Sequence, residues 1–293
     1  MKRGQERFLT VGSILAASLV CAAVLVLLGF LIIRGAPVLG KRLFFGDVPP
    51  FEALLGLRPV WDGLWPATVG TFCLLAVTML LALLPGVAGG VFLACYATPR
   101  QRRWLGLAVE LLAGIPSIVM GLFGFTLILF LRRTLLPEGT TCLLLASFCL
   151  AILVLPSLVM ATRNALEALP ERLHITAAAL GFPYGKTVSR VLIPAAGRGI
   201  LSGVILAMGR AAEDTAVIML TGVVANAGLP AGLTSKFEAL PFRIYYTAAQ
   251  YADQEELAGG FGAALVLLAL SGALLLCAWA LQRGLERKWR GVK

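Results

Sequence analysis

Residues 163–221 read RNALEALPERLHITAAALGFPYGKTVSRVLIPAAGRGILSGVILAMGRAAEDTAVIMLT. The stretch begins polar, is punctuated by Pro170, Pro183 and Pro194, and ends as an apolar helix carrying Arg210, Glu213 and Asp214 inside its hydrophobic run. An ionised side chain at bilayer depth costs about 2.5–3.5 kcal/mol on insertion scales, so such residues face a bundle interior, a partner charge or a water-filled path. Positions three and four apart share a helix face, which puts Arg210 within reach of Glu213 or Asp214 one turn on.

The rest of the chain supplies the setting. Of 293 residues, 59% are hydrophobic and only 14% charged; a soluble domain carries about 25% charged residues. Mean hydropathy is +0.90. Crossing the hydrocarbon takes roughly 20 helical residues, and runs of that length occur six times, at 11–33, 67–97, 105–131, 141–161, 200–225 and 259–281. The reading is an all-α, six-span membrane protein. Lys2, Arg3 and Arg7 ahead of the first run imitate a signal peptide, but the run exceeds the 7–15 apolar residues of such a leader, and bulky Val20 precedes Cys21 where a lipoprotein site needs a small residue. The first span is therefore expected to remain as an anchor.

Short-loop Lys and Arg set orientation. Sixteen fall on the side of Lys2, Arg102, Arg163, Lys186 and Arg283, against eight on the side of Arg34, Lys41, Arg132 and Lys236, which places both termini in the cytoplasm of a bacterial inner membrane. Trp61, Trp65 and Trp104 suit interfacial belts. The net charge of +10 flanks spans and is explained by topology and anionic lipid, with no nucleic acid required. The six cysteines fall within spans without metal-type spacing, which predicts apolar packing and no metal site. His174, the sole histidine, has no Ser and acid partners in a catalytic pattern, so the chain reads as a non-enzyme.

The organisation follows: 1–66 holds the first span and an extracytoplasmic loop, 67–281 the core with a cytoplasmic segment at 163–198, and 282–293 a basic tail. A further extracytoplasmic segment, 226–258, mixes tyrosines with Asp253, Glu255 and Glu256. Within 163–198, a helix over 171–180 is stopped by Gly181. After Pro183, a second helix over 184–193 puts Lys186 and Arg190 on one face, and Pro194 closes it. Two short helices joined at a glycine make a rigid knob for a cytoplasmic partner. Gly181, Gly185, Lys186 and Thr187 imitate a nucleotide-binding loop, but that motif needs four residues between its glycines and only three stand here. Pro85, Gly86, Gly89 and Gly90 in the second span, and Gly114, Pro116, Ser117, Gly121 and Gly124 in the third, permit either close packing or kinked, moving walls. Gly199 and Gly203 offer a similar approach at the base of the fifth span.

Ala177, Ala178 and Gly181, followed by Phe182, Pro183, Tyr184 and then Val191-Leu192-Ile193-Pro194, resemble the coupling motif of ABC importer permeases. Two further stretches, 113–124 (AGIPSIVMGLFG) and 209–216 (GRAAEDTA), resemble phosphate transport system permeases. The downstream Pro241-Phe242-Arg243-Ile244-Tyr245 resembles their A-type subunit. Ile175 stands at the motif's glutamate position, and Glu213-Asp214 stands where the family has Gly-Glu.

The resemblance implies a type I importer permease fold and a second, C-type permease. It also implies a dimeric ATPase that binds ATP and magnesium in place of this chain, and an extracytoplasmic phosphate-binding protein. It puts the translocation path at Arg210, Glu213, Asp214, Thr215, Pro116 and Ser117, and ATPase coupling at Ala177, Ala178, Gly181, Phe182, Pro183, Tyr184, Val191 and Pro194. Independently, an arginine lining a cavity offers a planar fork of donors suited to phosphate or sulfate oxygens. Arg210 could equally pair with Asp214 to lock helices. Import of another oxyanion or polar solute, and a channel or scaffold, stand as alternatives.

Overall fold

The computed structural model describes residues 2–135 and 137–290. The end of the tail read at 282–293 lies outside the described residues, as do the side chains of Lys2, Arg3, Arg7, Arg287, Lys288, Arg290 and Lys293 used for orientation.

Helix α1 (Lys2–Gly35) is followed by two short helices in the first loop, α2 (Lys41–Phe45) and α3 (Pro50–Leu54). The second span is α4 (Trp65–Val91), prolonged by a π-turn over Phe92–Tyr96. The third span is not one helix: α5 (Pro99–Ala113) and α6 (Ser117–Thr134) are separated at Gly114-Ile115-Pro116. Pro116 lacks an N–H to donate and biases Ile115 away from helical ψ, so the chain restarts at Ser117.

Helix α7 (Leu143–Glu167) is the fourth span. The 163–198 segment contributes α8 (Arg172–Ala179) and α9 (Tyr184–Thr187). The fifth span is α10 (Ile193–Glu213), broken from α11 (Ala216–Thr221). Helix α12 (Leu240–Gln250) precedes the sixth span, α13 (Gln254–Arg290). Among the described residues, six helical segments are long and apolar enough to cross a membrane.

Two expectations at the fifth span need correction. Pro194 does not close the preceding helix: α9, a π-turn at Val188–Leu192 and α10 run on as one membrane-length segment, Tyr184–Glu213. A proline removes the bond to the fourth residue back and crowds its carbonyl. Widening the preceding turn to π geometry relieves both problems without ending the helix. At the other end, the span read as continuous over 200–225 unwinds after Glu213, where Asp214 takes extended backbone angles (φ −75°, ψ 116°).

Helix α7 is the axis of the bundle, with 67% of its apolar window buried. Glycines bring α4 onto it: a Cβ on Gly86 would stand 2.7 Å from Leu158 Cβ, and one on Gly90 2.5 Å from Thr162 Cβ. Gly199 and Gly203 of α10 lie in the same way against Ala165 and Ala161. These small residues serve close packing, the way membrane helices associate where lipid removes the hydrophobic drive. Leu75, Ala82, Val154, Leu158, Ala207 and Ala211 fill the layer between α4, α7 and α10. Helix α1 is peripheral: its apolar side chains from Phe8 to Ile33 are largely exposed, and it meets α13 through an edge-on Phe30–Phe261 contact at 5.6 Å.

Candidate functional site

Three arrangements at different places in the bundle bring the singled-out residues into contact with the rest of the fold. The first is the break in the fifth span. Asp214 Oδ1 accepts a hydrogen bond from the Val217 N–H at 2.9 Å, capping the first turn of α11. Arg210 is exposed on α10, as is Glu213. Among the described residues Arg210 makes no ion pair with Glu213 or Asp214. The expected pairing with Asp214 fails because the helix ends at Glu213 and the Asp214 carboxylate turns forward to α11; Glu213, on the last helical turn, stays exposed without an ion pair to Arg210 among the described residues.

Helix α11 lies against α6. A Cβ on Gly121 would stand 2.9 Å from the Ala216 carbonyl oxygen and 3.1 Å from Val217 Cα, and one on Gly124 2.6 Å from Thr221 Cγ2. The stretches at 113–124 and 209–216, far apart in sequence, thus meet at the break. Pro116 and Ser117 begin α6 one turn before Gly121, with Pro116 exposed and Ser117 half-buried. Thr215, half-buried, accepts the Met219 N–H at 3.1 Å through its carbonyl.

The second arrangement is the knob. Gly181 has φ +76°, and a Cβ placed on it would meet nothing within 4 Å, so backbone conformation alone demands glycine. Its N–H donates to Ala178 O at 2.9 Å and the Phe182 N–H to Ala177 O at 3.1 Å, the paired bonds of a left-handed helix stop. Tyr184 Oη donates to Cys95 O at 2.6 Å, and its ring meets Tyr96 edge-on at 5.6 Å. Arg102 donates from Nε to Leu93 O and from Nη2 to Ala94 O. The knob is therefore clamped to the end of the second span. Val188 and Leu192 are buried with Leu166 and Ala196. Ala177 is buried, Val191 and Pro194 are half-buried, and Ala178, Pro183 and Tyr184 are exposed. Ile175, Leu180 and Phe182 leave an apolar face open.

Sequence reading missed the third arrangement, at the opposite end. Glu238 is 3% exposed, between Phe237 and Ala239. Its Oε1 accepts the Gly228 N–H at 2.9 Å. Burial pushes its carboxyl up from the ordinary range, while the Gly228 hydrogen bond and Arg243 pull it back. Gly70 of α4 lies so close that a Cβ would collide with the Glu238 carbonyl, and Thr71 Oγ1 accepts the Leu240 N–H at 2.9 Å. The one available signal was a lone acid flanked by apolar residues, less conspicuous along the chain than the exposed Asp253, Glu255 and Glu256.

Membrane-length helices stand around a broken span, with a clamped knob at one end. The chain belongs to the family "Binding-protein-dependent transport system inner membrane component", whose model matches residues 86–291. It is a non-catalytic, multi-pass inner-membrane permease of an ABC importer.

Among relatives, it is 30% identical over 271 residues to the "Probable ABC transporter permease protein YqgI" of Bacillus subtilis (strain 168), covering 87% of this chain and 88% of that one. It is 32% identical over 217 residues to the "Phosphate transport system permease protein PstA 1" of Mycobacterium tuberculosis (strain ATCC 25618 / H37Rv), covering 74% of this chain and 68% of that one. The fold matches a chain of the inward-facing MetNI methionine ABC transporter with a TM-score of 0.57 at 17% identity, over 81% of this chain and 99% of that one.

Proposed function

We propose that this chain is the A-type permease of an ATP-driven importer of inorganic phosphate. The observation that carries the reading is the junction of α6 and α11, where Gly121 seats Ala216 and Val217 beside the break that follows Arg210. The two stretches that resemble phosphate permeases form one piece of structure. Arg210 stands next to it with no ion pair among the described residues, free to offer its donor fork to an oxyanion. The similarity to PstA 1 supports phosphate.

In this reading Arg210, Glu213, Asp214, Thr215, Pro116 and Ser117 border the path. Glu213, exposed beside Arg210, repels a dianion held too long, so passage is guidance rather than tight binding and selectivity rests with an extracytoplasmic phosphate-binding protein. A C-type permease completes the pathway, and a dimeric ATPase using ATP and magnesium grips the knob at Ala177, Ala178, Gly181, Phe182, Pro183, Tyr184, Val191 and Pro194. Both termini and the knob lie in the cytoplasm. Because the knob runs without interruption into α10, movement of the ATPases levers the fifth span and switches access from one side to the other.

Import of another oxyanion or polar solute is the second reading, with which the similarity to YqgI is equally compatible, since its description names no substrate. Importer family membership displaces the channel or scaffold alternative. The deciding experiment is uptake of radiolabelled phosphate into vesicles holding this chain and its co-purified partners, with and without ATP, and with sulfate as competitor. ATP-dependent uptake that sulfate leaves intact supports phosphate import; ATP-dependent uptake of another anion overturns the substrate.

A further inference from the structure

A cleft of about 530 Å³ opens where α5 begins and α7 ends, at the same end of the bundle as the knob. Arg102, Arg103 and Arg163 line it, with Gly106, Leu107 and Glu110. Neither the translocation path nor the coupling motif includes it.

The charges are not equivalent. Glu167 accepts from Arg163 Nε at 2.9 Å and lies 3.6 Å from Arg102 Nη1, so one carboxylate is shared by two guanidinium groups. Arg102 is fully engaged, since its other nitrogens hold the carbonyls of Leu93 and Ala94. Arg163 has only Nε committed among the described residues, and its Nη1 reaches α5, 3.6 Å from a Cβ placed on Gly106. A bulkier residue at 106 would crowd that guanidinium.

The Arg103 side chain, exposed, makes no ion pair among the described residues. Two donor forks, from Arg103 and Arg163, therefore line one open space, while Arg102 shares the Glu167 carboxylate. Glu110 is the opposing charge in the same lining, roughly 10 Å along the helix axis from Arg103 and one turn from Gly106, and among the described residues it forms no ion pair with either arginine. Exposed Leu107 lines the opening together with Ala97 and Pro99, giving it an apolar lip. Donor forks beside an apolar lip match a phosphate group on an amphiphile, and basic pockets between membrane helices take anionic head groups in this way.

We infer that the cleft between α5 and α7 binds a phosphate group through Arg103 and Arg163. The group can come from an anionic phospholipid of the adjacent leaflet or from inorganic phosphate, and the apolar lip favours the lipid. Because the knob is clamped to the same π-turn that Arg102 holds, the occupant sits one layer from the coupling segment. This inference is independent of phosphate import, since it concerns retention and not transport.

The test uses the full chain with its co-purified partners, reconstituted in nanodiscs of phosphatidylcholine with and without phosphatidylglycerol. Native mass spectrometry counts the lipids that stay bound on release, and inorganic phosphate or chloride is added as competitor. Wild type should retain phosphatidylglycerol over phosphatidylcholine, and Arg103→Glu should weaken retention about tenfold or more, the scale of one lost charge-assisted contact. Arg103 anchors nothing internally, so its variant should melt like wild type in phosphatidylcholine alone; should Arg103→Glu unfold, Arg103→Gln carries the same test.

Retention displaced by phosphate but not by chloride assigns the site to the free anion, and retention indifferent to phosphate assigns it to the lipid. Wild type that holds neither, or equal retention in wild type, the Arg103 variant and Arg163→Gln, overturns the site.

Discussion

Asp214 ends the long helix of the fifth span, yet its carboxylate serves the helix that follows, accepting the Val217 N–H at 2.9 Å. Removing this cap by Asp214→Ala should cost about 1 kcal/mol, read as a lowered melting temperature in detergent, whereas Asp214→Asn should retain most of it. Because Arg210 is not ion-paired among the described residues, Arg210→Ala should leave melting unchanged while lowering transport, with the complex still co-purifying. A large loss of stability in Arg210→Ala would restore the structural pairing.

Gly181 is set by backbone conformation rather than by space, so substitutions there should rank by tolerance of positive φ. Gly181→Asn should be milder than Gly181→Val, and an ordinary L-residue should cost about 1–2 kcal/mol. Gly181→Pro cannot take this conformation and should abolish ATPase co-purification while membrane insertion continues. Pull-down of the ATPase from solubilised membranes reads both, and normal co-purification of the proline variant would remove the coupling role.

At the opposite end, Gly70→Leu drives a side chain into the Glu238 carbonyl. Overpacking of this kind costs about 1–3 kcal/mol or more, and the displaced segment should become sensitive to protease added to intact vesicles. Gly12→Leu, at a position with open space on α1, is the control that should change neither.

Burial raises the Glu238 carboxyl above its unfolded value, so the folded state holds this proton more tightly than the unfolded chain does. The sign follows by linkage: stability from this group is fully present below the unfolded value and is lost as pH rises through the folded one. Relative to Glu238→Gln, which cannot titrate, wild type should therefore gain thermal stability as pH falls from neutrality toward the ordinary carboxylate range. A difference that stays constant with pH would mean that Arg243 and the Gly228 N–H fully offset burial.

The amino-acid sequence by itself determined the class and the number of spans, because the length and hydropathy of an apolar run are local properties that the bilayer reads directly. It also determined the helix stop at Gly181, where the demand for positive φ is likewise local. What it could not determine were features that depend on partners distant in the chain. Pro194 looked like a terminator because its cost is local, but the π-turn before it and the packing of Val188 and Leu192 let the helix continue. Arg210 and Asp214 looked like a pair because a continuous helix was assumed, and the seat that Gly121 offers to α11 goes with a break there. Glu238 showed in the sequence only as a lone acid between apolar residues, since nothing in its neighbours along the chain tells that Gly70 and Thr71, far away on α4, will close over its segment. Crossing the membrane is a property of segments; burial of a charge is a property of the assembled bundle, and only the tertiary structure decides it.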